Sequence, residues 1–113
     1  MSGIVSFTPD RGWFEAARTV AFGAVLDAYS AIGTAIEHPT RVFIIWNLTN
    51  ANAYISIDGV LDYWPIVAGG HLILDDSTNG ISLPKGTTFY VKRYTAGVAP
   101  TSGDVVVSIG YKV

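Results

Sequence analysis

The sequence predicts an all-β fold: a single antiparallel β-sandwich, jelly-roll-like, or a barrel, of about eight strands with an extended N-terminal arm. Three observations predict it. Short runs rich in Val, Ile, Phe and Tyr recur at intervals of about ten residues. Each run is closed by Gly, Asn, Asp or Pro, the residues that turn a chain. After position 40 no apolar pattern follows the helical period.

Residues 1–17 read as the arm and residues 18–113 as the sandwich domain. The arm holds a short "IVSF" strand and a "TPDRG" turn. Its Ile4, Phe7, Trp13 and Phe14 give it more apolar weight than a frayed end needs, so it is expected to dock on its own body or on a neighbour.

Next comes "WFEAARTVAFGAVLDAYSAIGTAIE", residues 13–37, which is alanine-rich, and part of it also fits helical spacing. Gly23, Gly33 and the β-branched Thr19, Val20, Val25 and Ile32 argue for two strands instead, near 18–25 and 30–36. "HPT" turns the chain into "RVFIIWNL" (41–48). That run is apolar on both parities, with Val42, Ile44 and Trp46 on one face and Phe43 and Ile45 on the other. A strand covered on both sides is expected, with Trp46 in the core.

"AYISIDG" alternates, with Ile55 and Ile57 opposite Tyr54, Ser56 and Asp58. The Asn-containing link "TNAN" suggests that 41–48 and 53–58 form a hairpin. Asn47-Leu48-Thr49 has the form of a glycosylation acceptor but reads as a polar strand end. "LDYWPIVAGG" gives a short strand whose Pro65 suits a sheet edge. "HLILDD" follows, then the loop "DDSTNG", then a "LPKG" turn. "TTFYVKR" (87–93) places Phe89 and Val91 inward and Tyr90 and Lys92 outward. "DVVVSIGYKV" closes the chain with Val105, Val107, Ile109, Tyr111 and Val113 on one face.

Composition bounds the function. A chain of 113 residues suits one domain. With no cysteine it has no disulfide, thiolate metal site or cysteine nucleophile. Seven basic and nine acidic residues, without a basic run, argue against a nucleic-acid partner. No run is long and apolar enough to suggest a membrane span, and the first residues lack the pattern of a secretory signal. The charged fraction is 14%, against about 25% in ordinary soluble domains. Spread over the surface of a folded chain this size, that is about one charge per 375 Å². Surface so thinly charged, on a chain that is 50% hydrophobic, points to burial against partners.

No chemistry stands out. His38 and His71 fall in separate turns, neither beside an orienting acid. "DDST" lacks the spaced ligands of a calcium loop, and no glycine pair precedes a helix that could hold a phosphate. An enzyme is not expected, nor is any metal, cofactor or catalytic residue. Tyr63 and Trp64, next to Pro65, are expected to be partly exposed and to join Tyr90 and the four arm residues in an interface. Trp46, Trp64, Tyr54, Tyr63 and Tyr90 could also line a sugar-binding face.

The turns carry a resemblance. Asn47-Leu48-Thr49, Ser56 to Gly59, Gly69-Gly70, Lys85 to Lys92 and Ser102 to Ser108 resemble the strand ends of small all-β virion proteins of tailed bacteriophages. The likeness spans about residues 29–113. It implies a capsid decoration, cement or head-tail accessory protein: a non-enzymatic structural protein that works through subunit-subunit contacts. The expected partners are further copies, as a trimer or dimer, and the major capsid or other virion proteins. Its expected place is the virion, assembled in the host bacterial cytoplasm. The alternative is a carbohydrate-binding β-sandwich module for host-surface adhesion, using Tyr63, Trp64 and Tyr90.

Overall fold

The computed structural model describes residues 12–112 as two antiparallel sheets packed face to face. The strands are β1 (Gly12–Phe14), β2 (Arg18–Ala21), β3 (Ser30–Ala31), β4 (Val42–Asn47), β5 (Ala53–Ser56), β6 (Trp64–Ile66), β7 (His71–Asp75), β8 (Tyr90–Arg93) and β9 (Asp104–Lys112). A 3₁₀ turn covers Phe22–Ala24, and a helical turn, α1 (Asp76–Asn79), follows β7. One sheet runs β1-β9-β4-β7, with β2 sharing the same side of β9 as β1; the other runs β3-β8-β5-β6. Counting β1 and β2 as one broken strand gives eight positions. Every connection except β5–β6 crosses between the sheets, which is the strand order of a jelly roll. The all-β sandwich expected from the sequence is the fold observed.

The core lies between the sheets. The inner faces of β4 and β9 supply Phe43, Ile45, Val105, Val107 and Ile109, all without solvent exposure. The other sheet answers with Ile55, Phe89 and Val91. Phe43 meets Phe89 at a ring-centroid distance of 5.4 Å and a tilt of 53°, joining the two layers. As the alternation predicted, Phe89 and Val91 point inward and Tyr90 and Lys92 outward.

Several expectations are corrected. Residues 41–48 and 53–58 do not form a hairpin, because β4 pairs with β7 and β9 while β5 pairs with β6 and β8 in the opposite sheet. The link between them is an arch held by Asn47, whose buried side-chain amide donates to the carbonyls of Ala51 (2.8 Å) and Ile66 (3.0 Å). Its Oδ1 accepts from the Thr49 backbone and hydroxyl. The polar strand end thus ties two sheets together.

β4 is not covered on both sides. Phe43, Ile45 and Asn47 are buried, whereas Val42, Ile44 and Trp46 are half-buried on the outer face, so Trp46 is not a core residue. Residues 76–79 form a helical turn rather than an open loop. The Asp75 carboxylate accepts from the Ser77 and Thr78 amides, and Gly80 closes the turn at φ +69°.

The arm expected over 1–17 is, from Gly12 onward, part of the five-stranded sheet; "IVSF" and the first four residues of "TPDRG" lie outside the described residues. Phe14 sits opposite Gly110 and Arg18 opposite Val107, so four steps on one strand match three on the other. That extra residue is a β-bulge, and it reverses which parity faces the core. Within 18–36 the strands are shorter than expected, four and two residues, and no α-helix forms there. At the entry to β9, Gly103 (φ +87°) passes the arch so closely that a Cβ would lie 2.0 Å from the Leu48 carbonyl oxygen.

Candidate functional site

Two outer faces and one side-chain cluster carry what chemistry the surface has. The outer face of the five-stranded sheet is apolar. Register places Val42, Ile44 and Trp46 of β4 beside Ile73 of β7 on one side and Val106 of β9 on the other. Phe14 adds its ring across Gly110, where a Cβ would sit 2.7 Å from Val42 Cγ1 and 3.2 Å from Phe14 Cε1. Phe14 is 63% exposed and Ile73 50%. Among the described residues of β4, β7 and β9, this parity carries ionisable residues at strand ends: His71 and Asp75 on β7, Asp104 and Lys112 on β9. A surface of this kind gains free energy by leaving water.

The outer face of the four-stranded sheet is aromatic and polar. Tyr54 stacks on Tyr94 at 4.6 Å, and Lys92 Nζ lies 4.8 Å from the Tyr29 ring centroid and 5.8 Å from that of Tyr54. Asp62 ties the group together, accepting from the Tyr29 hydroxyl (2.5 Å) and pairing with Lys92 (3.0 Å). Those two partners hold the Asp62 carboxyl below its ordinary value. Partial burial, reinforced by Asp62, pushes the Tyr29 hydroxyl well up. Asp58 organises the adjoining loop: its Oδ1 accepts from the Leu61 and Val60 amides and from Ser56, and its Oδ2 from Tyr63. The Leu61 and Val60 amides take the largest part in lowering its pKa to about 2.

The cluster lies at the bulge. The Glu15 side chain, 7% exposed, is 2.9 Å from Arg18 Nη2 and 2.7 Å from His38 Nδ1, and it also accepts from the Glu37 amide (3.1 Å). Burial pushes Glu15 up, but His38, the Glu37 amide and Arg18 outweigh it and hold the carboxyl below its usual value. Arg18 donates to the carbonyls of Thr34, Ala16 and Ala35, and His38 stacks flat on Tyr111 at 3.7 Å. His38 therefore does have an orienting acid, contrary to expectation, and it comes from 23 residues earlier in the chain. His71 lies on a strand rather than in a turn. A cleft of about 380 Å³ opens beside the cluster, lined by Ala17, Thr34, Glu37 and Tyr111 among others.

The seven residues expected to form an interface are dispersed. Ile4 and Phe7 fall outside the described residues. Trp13 is half-buried in β1, opposite Tyr111, and Phe14 is on the apolar face. Tyr63 is 38% exposed and belongs to the polar aromatic face. Trp64 is half-buried and packs inward, its ring 5.7 Å from Phe43. Tyr90 is half-buried beneath Gly59. Sequence reading missed Val42, Ile44, Trp46, Ile73 and Val106 as one surface. The signal is the double-parity apolar run of 42–46, whose second face meets no layer of this chain but lies on the outer side of the sheet. Among the described residues no group of three or more His, Asp or Glu is placed to hold a metal ion, and no helix is long and apolar enough to cross a membrane.

In comparison with known proteins, no family model matches the chain, and no curated protein does.

Proposed function

We propose that this chain is a non-enzymatic structural protein of a tailed-phage virion, a homo-oligomer that decorates or stabilises the capsid or head-tail region. The observation that carries this reading is the apolar outer face formed by Phe14, Val42, Ile44, Trp46, Ile73 and Val106. The five-stranded sheet lies beneath it, and an apolar sheet face suits docking on a neighbouring subunit. More apolar side chains stand exposed in the loops at one end of the sandwich: Phe22, Leu26, Leu48, Val67 and Val98. Repeated on a lattice, contacts of this kind add through multivalency. The strand-end resemblance supplies the virion context.

The test is fractionation of particles from infected cells, with peptide mass spectrometry of each density band. The chain is expected to band with the major capsid protein and to be depleted from the particles in an Ile44→Lys variant. A chain left wholly in the light soluble fractions contradicts the reading.

The second reading is a carbohydrate-binding module for host-surface adhesion. It is favoured by the gathering of Tyr29, Tyr54, Tyr63, Tyr90 and Tyr94 on one side of the four-stranded sheet. It is the weaker reading for two reasons. Trp64 packs inward, and the hydroxyls of Tyr29 and Tyr63 are already committed to Asp62 and Asp58. A glycan screen of the chain beside Tyr54→Ala and Tyr63→Ala variants tests it. Saturable binding lost in both supports adhesion.

A further inference from the structure

We propose that β7 is an assembly edge, pairing antiparallel with β7 of a second copy about a two-fold axis at Leu72. The proposal deepens the assembly reading above by naming the partner and the contact.

Among the described residues the sandwich has four sheet edges, and three are guarded. In the four-stranded sheet β3 is only two residues long, and β6 carries Pro65, which has no N–H to offer. In the five-stranded sheet the β1/β2 edge is broken by the bulge at 15–17 and carries the inward-pointing, charged Arg18. Both are devices that stop a sheet from growing. The β7 edge, "HLILD", has no proline, lysine or bulge.

The ladder between β4 and β7 shows which groups that edge presents. The Asn47 amide donates to the Gly70 carbonyl (2.9 Å), and the Asp76 amide donates to the Arg41 carbonyl (2.7 Å). Bonded pairs alternate with unbonded pairs in an antiparallel ladder. The pairs Trp46/His71 and Ile44/Ile73 are therefore unbonded, and the N–H and C=O groups of His71 and Ile73 point away from β4. Beyond them the edge stops. The Asp75 amide is taken by Asn79 Oδ1 (2.9 Å), and the Gly70 amide turns back to the Val67 carbonyl (2.9 Å).

The open stretch is thus three residues long and presents two donors and two acceptors. A second copy set antiparallel, with His71 facing Ile73 and Leu72 on the axis, meets all four from each side with four backbone hydrogen bonds. A longer foreign strand would run into the Asp75–Asn79 cap. The match is self-complementary, as a two-fold contact requires. It also brings Ile73, half exposed, against His71 of the other copy and joins the two apolar faces into one.

The test combines sedimentation velocity with amide hydrogen exchange on the full chain. Wild type is expected to sediment as a dimer, with protection of the His71 and Ile73 amides rising with concentration. Ile73→Pro and Ile73→Lys are each expected to sediment as single chains. The proline variant keeps the β4 ladder, since the Ile73 amide takes no part in it, the lysine variant keeps every amide, and circular dichroism verifies both folds. A wild-type oligomer whose His71 and Ile73 amides exchange like those of a free strand overturns the edge contact while leaving assembly through the apolar face intact. A wild-type chain that stays monomeric at millimolar concentration overturns both.

Discussion

Glu15 decides how the first strand meets the rest of the molecule. Its buried carboxylate binds Arg18, His38 and the Glu37 amide, so the bulge, the inward arginine and the 32–40 loop are fixed by one side chain. Removing it breaks the ion pair with the buried Arg18 and the bonds from His38 and the Glu37 amide, and a hydrogen bond to a charged group is worth about 1.5–3 kcal/mol. Glu15→Ala is expected to lower unfolding free energy by about that amount at neutral pH, measured by denaturant titration. The pH dependence follows from its depressed pKa. The folded carboxyl binds its proton less readily than the unfolded one, whose value is near 4.5. Its contribution is therefore complete above that pH and lost as pH falls through the lower folded value. The gap between wild type and Glu15→Ala is expected to close on acidification below about pH 4.5. A gap that stays constant down to strongly acid pH contradicts the role of the charge. None of this was legible in the sequence, because a contact between residues 15 and 38 depends on the path of the chain.

At the scale of elements, the arch between β4 and β5 shows what local pattern can and cannot carry. Asn47 satisfies two buried carbonyls and anchors Thr49, linking the end of one sheet to the start of the other. Asn47→Ala is expected to cost about 3 kcal/mol, near the top of the range for orphaned buried polar groups, with cooperative unfolding retained. A loss below about 0.5 kcal/mol, the level of a surface substitution, contradicts the arch as a structural tie. The strands around it were legible from alternation, since Phe89, Val91, Val105, Val107 and Ile109 all face inward as their parity indicated. The turn chemistry was legible too, but only as a place where the chain turns. Asn-containing links suit hairpins and arches alike, and which one forms depends on whether β5 finds β4 or β8. Likewise, one extra residue near Ala16 switched the inward parity between Trp13 and Arg18, and no composition rule marks a bulge.

For the molecule as a whole, scarce charge is the property that the sequence and the structure share. Sixteen ionisable acids and bases of Asp, Glu, Lys and Arg serve 113 residues, and most of those named above are committed to holding loops and sheets together. On the outer side of the five-stranded sheet they stand only at strand ends, leaving its middle apolar. The sequence suggested a partner surface around Tyr63, Trp64, Tyr90 and the arm, and did not mark the apolar sheet face as one surface. Trp64 drew attention by its size and neighbours, yet it packs on Phe43, while the modest Val42, Ile44 and Ile73 form the surface. Aromatic content marks where burial is favourable, not which side of a strand receives it. The central claim is that this face is buried against other subunits. The most direct measurement is sedimentation equilibrium over a wide concentration range on wild type and an Ile44→Lys, Trp46→Ser double variant. The account predicts concentration-dependent association by wild type and a folded double variant that associates far more weakly. Equal behaviour of the two chains, both monomeric or both associated, would contradict it.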